Sequence, residues 1–284
     1  MQHNDYILTL SCPDRTGIVF RVSGLLYELQ CNILDAQQFG DEETGRFFLR
    51  VHFDLPATVA VPELHERIAV LAKDYAMQWQ LHDPRRKARL LILVSRQGHC
   101  LNDLLFRTHS GQLRADIAAI VSNHTDHEPL ARSYGIPFHH LPVTPATKAA
   151  QEQRLLELVD GERIDLVVLA RYMQILSPEL CRALEGRAIN IHHSFLPSFK
   201  GARPYYQAHA RGVKLIGATA HYVTPDLDEG PIIEQDIQRV DHAMSVQDLT
   251  QVGSDVESLV LARAVSSHVE HRILLNGHRT VVFR

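Results

Sequence analysis

Cysteine is scarce and unclustered in this chain. The thiols Cys12, Cys31, Cys100 and Cys181 stand far apart in a 284-residue sequence. That spacing argues against a disulfide framework and for a reducing compartment. An excess of positive charge is also missing. The 29 Lys and Arg face 33 Asp and Glu, a formal net charge of −4, so there is no electrostatic case for nucleic acid. No apolar run reaches the roughly 20 residues of a membrane span. The start, Met1-Gln-His-Asn-Asp5, is polar and has no signal-peptide core. Low-complexity tracts and short-period repeats are absent. The expectation is a cytoplasmic chain that binds neither nucleic acid nor membrane. With 45% apolar and 22% charged residues, it has the composition of a soluble globular protein, long enough for two domains.

The first part predicts a small α/β domain over residues 1–84. Tyr6–Leu10 reads as a strand, and Ile18, Val22, Leu25, Leu26 and Leu29 follow at helical spacing. Ile33–Phe39 is a second strand, and Glu43-Thr-Gly-Arg46 a hairpin turn. Phe47, Leu49, Val51 and Phe53 alternate along a third strand. Leu64, Ile68, Leu71, Ala72 and Tyr75 form another helical stripe, and Met77–Leu81 closes as a fourth strand. This βαββαβ order is the ferredoxin-like split. A polar linker at 85–89, within Asp83-Pro-Arg-Arg-Lys-Ala88, separates it from a second domain over 90–284.

The second domain alternates strand and helix. Leu90–Val94 is a continuous apolar run, as expected for a parallel strand covered on both faces. Ile117–Val121, Phe138–Leu141 and Leu166–Leu169 repeat the signal, with helical segments between them. Repeated βα units predict a doubly wound, mostly parallel sheet. Val213–Tyr222 and Ile232–Ile237 predict an antiparallel end. Val246–Ile273 reads as one long helix with a break at Gly253, and Thr280–Phe283 as a last strand.

The chemistry concentrates near Ala188-Ile-Asn-Ile-His192. Ile189 and Ile191 alternate with Asn190 and His192, so the amide and the imidazole share one face of a strand. Pro197 and Gly201 end the run. Later comes Leu227-Asp-Glu-Gly-Pro231, with a carboxylate before a turn. An amide can hydrogen-bond a developing oxyanion. A histidine moves protons near neutral pH, and a carboxylate orients the histidine or the water. The bland alternative is a polar strand edge with satisfied hydrogen bonds. Asp226 offers a second carboxylate, but the register before Gly-Pro favours Asp228. His139-His140 lacks a third ligand at a recognisable spacing, so no metal is expected.

The string Asn190-Ile-His-His-Ser-Phe-Leu-Pro197 with Gly201, followed by Asp228-Glu-Gly-Pro231, resembles the signature of the formyltetrahydrofolate-dependent formyl transferase family. The resemblance covers roughly residues 88–284. It implies a catalytic trio of Asn190, His192 and Asp228. Leu169-Ala-Arg-Tyr-Met-Gln-Ile-Leu176 is similar to that family's folate loop. This implies substrate contacts at Arg171, Tyr172, Met173, Gln174, Ile175 and Leu176, with His193 and Asp226 beside them. Lys200 and Arg203 are expected near the folate tail. The loop Ser95–Leu101 carries one glycine and bulky side chains, a poor phosphate cradle. An RNA-contacting domain is not expected. The resemblance therefore implies the hydrolytic branch, with 10-formyltetrahydrofolate as substrate, water as acceptor and no cofactor. The alternatives are a transformylase with an amine acceptor and a sensor with a dead transferase domain.

Cys12-Pro-Asp-Arg-Thr-Gly-Ile-Val19 resembles the first loop of ACT domains. That implies an amino-acid effector site at Asp14 and Gly17, with glycine or methionine as candidate ligands. It also implies edge-to-edge pairing into a homo-oligomer.

Overall fold

The computed structural model describes residues 4–196 and 204–284 and divides into two compact units. The first holds residues up to Arg86 together with Glu270–Asn276 and Thr280–Arg284. Its elements are β1 (Asp5–Pro13), α1 (Ile18–Glu28), β2 (Asn32–Asp41), β3 (Arg46–Asp54), α2 (Val61–Tyr75) and β4 (Gln78–His82). The strands pair antiparallel in the order β2-β3-β1-β4, which is the expected ferredoxin-like sheet. The apolar stripes of α1 and α2 close the core: Ile18, Val22, Leu26, Leu64 and Ile68 bury against Leu8, Leu10, Leu49, Val51 and Phe53. Each such side chain contributes roughly 1.5–3 kcal/mol through burial.

The second unit begins with β5 (Ala88–Val94), α3 (His99–His109), β6 (Ala115–Ser122), α4 (Glu128–Ser133) and β7 (Phe138–His140). It continues with α5 (Lys148–Gly161), β8 (Leu166–Leu169), α6 (Pro178–Ala183) and β9 (Ala188–His192). Then come α7 (Pro204–Ala210), β10 (Leu215–Tyr222), β11 (Ile232–Arg239) and α8 (Val246–Val269). Strands β5 to β9 are parallel neighbours in the order β9-β8-β5-β6-β7. β10 and β11 extend the β9 edge in antiparallel fashion. The apolar run Leu90–Val94 sits at the centre and is at most 1% exposed, as a strand covered on both faces must be.

Two elements depart from the sequence reading. The long helix ends at Val269, and the chain turns at His271, which has φ 55°. The next residues form a hairpin, β12 (Ile273–Asn276) with β13 (Arg279–Val282). Within the first unit, Arg50 donates to the carbonyls of His271 and Glu270 at 3.1 and 3.2 Å, and Asn276 donates to Asp41 at 2.6 Å. Gly253 makes no break in α8. A Cβ there would lie 2.0 Å from the Tyr205 hydroxyl, so glycine serves the close approach of that ring. The N-cap of α1 is Gly17, at φ 92°.

Candidate active site

β9 is where the parallel sheet meets its antiparallel extension, one strand beyond the β8–β5 junction at which the strand order reverses, and open α/β sheets place ligands at the carboxyl ends of the strands around such a reversal. The register pairs His221 with Asn190 and Thr219 with His192. Directly paired residues share a face, so Asn190, His192 and His221 project together. After β10 the Val223 N–H bonds to Ala188 O, and the chain then returns over that face to Asp228. Gly230 makes the return possible. A Cβ there would lie 1.7 Å from the Tyr222 carbonyl oxygen. Asp228 itself adopts φ 57°, a left-handed conformation that costs of order 1–3 kcal/mol outside glycine.

The four polar groups interlock. His192 Nδ1 lies 3.2 Å from Asp228 Oδ2. His221 Nδ1 donates to the Tyr222 carbonyl at 2.9 Å, which turns Nε2 to within 3.3 Å of Asn190 Nδ2 and 3.7 Å of Asp228 Oδ1. The hydrogen bond from His192, with the His221 ring close by, holds the Asp228 carboxyl far below its ordinary range, against the opposing effect of burial. With Nδ1 committed to the carboxylate, His192 keeps Nε2 as its free nitrogen. That atom is buried and has no hydrogen-bond partner among the described residues. An ionised carboxylate, an oriented imidazole and an amide with a spare N–H form a set suited to activating water and holding an oxyanion.

These groups line one cavity of about 360 Å³. Its other wall is the segment after β8. Met173, Ile175 and Leu227 are 59, 63 and 59% exposed around it, an apolar rim able to take a flat ring. Gln174, Leu176, His193 and Asp226 also line it. Asp226 is exposed, and its carbonyl accepts from the Thr224 hydroxyl and from Glu229 N. Tyr172 and Arg171 face the protein as well. The Tyr172 hydroxyl accepts from Gln151 at 2.9 Å, and burial pushes it up to about 12. Arg171, at φ 64°, donates from Nε and Nη2 to Gln97 at 2.9 and 2.6 Å, and its Nε lies 3.2 Å from Glu257. Asp14 and Gly17 lie in the first unit, Asp14 exposed. Pro197, Lys200, Gly201 and Arg203 lie outside the described residues.

His193 stacks on His192, with centroids 4.8 Å apart and planes inclined by 26°. Burial, then the nearby Arg171 charge and then His192, lower it from 6.5 to about 4. Between these values the unfolded chain binds the proton that the folded chain refuses. Stability must then fall as pH drops from 6.5 towards 4, by at most about 1.4 kcal/mol per pH unit from this group. We expect His193→Asn to lose this share of the acid destabilisation, as read from denaturation midpoints at pH 5 and pH 7. Equal slopes for the two proteins would refute the assignment.

His221 was not foreseen as a site residue. Its signal lies in the β9–β10 register, which couples residues about thirty apart.

The fold, with Asn190 and His192 on β9 and Asp228 on the return after β10, defines an α/β chain of the formyl transferase class. The formyl transferase family matches residues 88–265, and the ACT domain family matches residues 6–69. The formyltetrahydrofolate deformylase of Corynebacterium sp. (strain P-1) is 50% identical over 98% of both chains. That of Synechocystis sp. is 49% identical over the whole of both. A solved formyltetrahydrofolate deformylase from Burkholderia mallei superposes with TM-score 0.95 at 52% identity, over 99% of this chain and 100% of that one. The chain belongs to the formyltetrahydrofolate deformylase family.

Proposed function

We propose that the chain hydrolyses 10-formyltetrahydrofolate to tetrahydrofolate and formate through Asn190, His192 and Asp228. The pterin lies against the 171–176 wall, among Met173, Ile175 and Leu227. Asp228 accepts from His192 Nδ1 and keeps Nε2 free to take a proton from water. The resulting hydroxide adds to the formyl carbon. Asn190 spends one N–H on His221 and offers the other to the oxyanion. His192 returns its proton to N10, the C–N bond breaks as the oxyanion re-forms the carbonyl, and formic acid leaves and gives up its proton to become formate. Water and the folate carry every atom of this scheme, so no cofactor enters it. The observation that carries the reading is the oriented His192, with its unpartnered Nε2 beside Asn190 on one cavity wall.

The same reading gives the first unit an amino-acid ligand, glycine or methionine, at Asp14 and Gly17. A second copy of the chain pairs along β2. Support comes from the exposed Asp14, the left-handed Gly17, and the sheet-edge position of β2 near exposed Phe20, Tyr27 and Ile33. No described helix is long and apolar enough to cross a membrane. The four free cysteines suit the cytoplasm.

The test is formate release from 10-formyltetrahydrofolate with and without a phosphoribosyl amine. Equal release in both arms is expected. A strict requirement for the amine would establish the transformylase instead, and no turnover in either arm the sensor. Glycine and methionine added to the same assay test the effector.

A further inference from the structure

A buried polar assembly in the second unit centres on a carboxylate that takes no part in the scheme above. Glu257, on α8, is 1% exposed. Its Oε2 lies 2.7 Å from His99 Nε2 and 3.2 Å from Arg171 Nε. Its Oε1 accepts from the Tyr205 hydroxyl at 2.5 Å. The ring reaches it because Gly253, one helical turn earlier, leaves room. Burial alone would raise the Glu257 carboxyl. The hydrogen bond from His99, the Arg171 charge and the remaining partners reverse this and lower it. His99, Cys100 and Glu257 bring metal-type ligand atoms within 4.8 Å of one another. A guanidinium on the same carboxylate oxygen leaves that arrangement no use for a cation.

What the carboxylate does hold is the start of the folate wall. Arg171 is the first residue of that wall and is strained at φ 64°. Its carbonyl accepts from Ser95 N at 3.2 Å, and the Ser95 hydroxyl accepts from Met173 N at 2.9 Å. The wall is thus fixed at its backbone by Ser95 and at the Arg171 side chain by Gln97 and by the charge of Glu257. Asn190, His192 and Asp228 make none of these bonds.

We propose that Glu257 is a positioning residue for substrate: through Arg171 it sets the 171–176 wall against which the folate ring packs, without touching the folate. The proposal rests on the folate reading of the cavity. Neutralising the carboxylate would leave Arg171 as a buried cation without its counter-ion, and that cation must move and take the wall with it.

Glu257→Gln keeps the shape and removes the charge. We expect KM for 10-formyltetrahydrofolate and the Kd of tetrahydrofolate, by titration calorimetry, to rise together about tenfold or more, with kcat within about threefold of wild type. A stabilising role alone would lower Tm and leave KM and Kd in place, and that result would overturn the proposal. Should Glu257→Gln fail to fold, the double variant R171M/E257M decides. It strands no buried charge and must show the same rise; wild-type KM and Kd in that protein would also overturn the proposal. A wild type that binds tetrahydrofolate yet releases no formate would sink the functional reading, while the Kd comparison would still decide the role of Glu257.

Discussion

Asp228→Asn is expected to slow formate release about a thousandfold, the range over which positioned acid–base catalysis acts, while tetrahydrofolate binds nearly as before. Asparagine tolerates the left-handed conformation at this position, so the loop should keep its path. The substitution changes the electrostatics of His192. Its Nδ1 faces Asp228 Oδ2 at 3.2 Å, and the ionised carboxylate both fixes the tautomer and steadies the imidazolium formed when Nε2 takes a proton. An amide carries no charge, and it can turn its N–H towards Nδ1. That would leave the proton on Nε2, the wrong nitrogen. Stopped-flow detection of formate and calorimetric titration with tetrahydrofolate separate the two effects. A variant retaining a tenth of wild-type kcat would rule out the His192–Asp228 pair as the base.

Asn190→Ala should cost a hundredfold or more in kcat, corresponding to the roughly 3 kcal/mol that one positioned oxyanion donor supplies. The side chain projects from β9 beside His192 and is held by His221 Nε2 at 3.3 Å, so its spare N–H is fixed before the substrate arrives. Prepaid orientation is what makes such a donor effective. The proposed seat of the folate ring is the other wall, so KM should move little. Normal turnover in this variant would remove Asn190 from the mechanism.

Local chemistry made much of this readable from sequence. Ile189 and Ile191 alternate with two polar residues because one strand face meets the core and the other a cavity, and that pattern survives in any one-dimensional reading. Leu90–Val94 announces a doubly covered strand in the same way. What escaped was the information carried by pairing across long stretches of chain. His221 joins the site through strand register, and Glu257 meets His99 from 158 positions away. The apolar pattern of α8 continues through Ile273, so periodicity extended the helix. The turn at His271 is instead a tertiary choice, because the following residues gain a hairpin partner and a bed in the first unit.

That tail has a consequence for how the molecule is made and dissected. The ACT unit is assembled from both extremities of the polypeptide, and the catalytic unit is looped out between them. A ribosome therefore delivers the founding strands first and their closing piece last, so the ACT unit cannot be finished until the second unit has been translated. Cutting at Arg86 would leave the first unit without its closing residues, and anyone wishing to study the ACT unit alone must splice the residues from Glu270 onward back onto it.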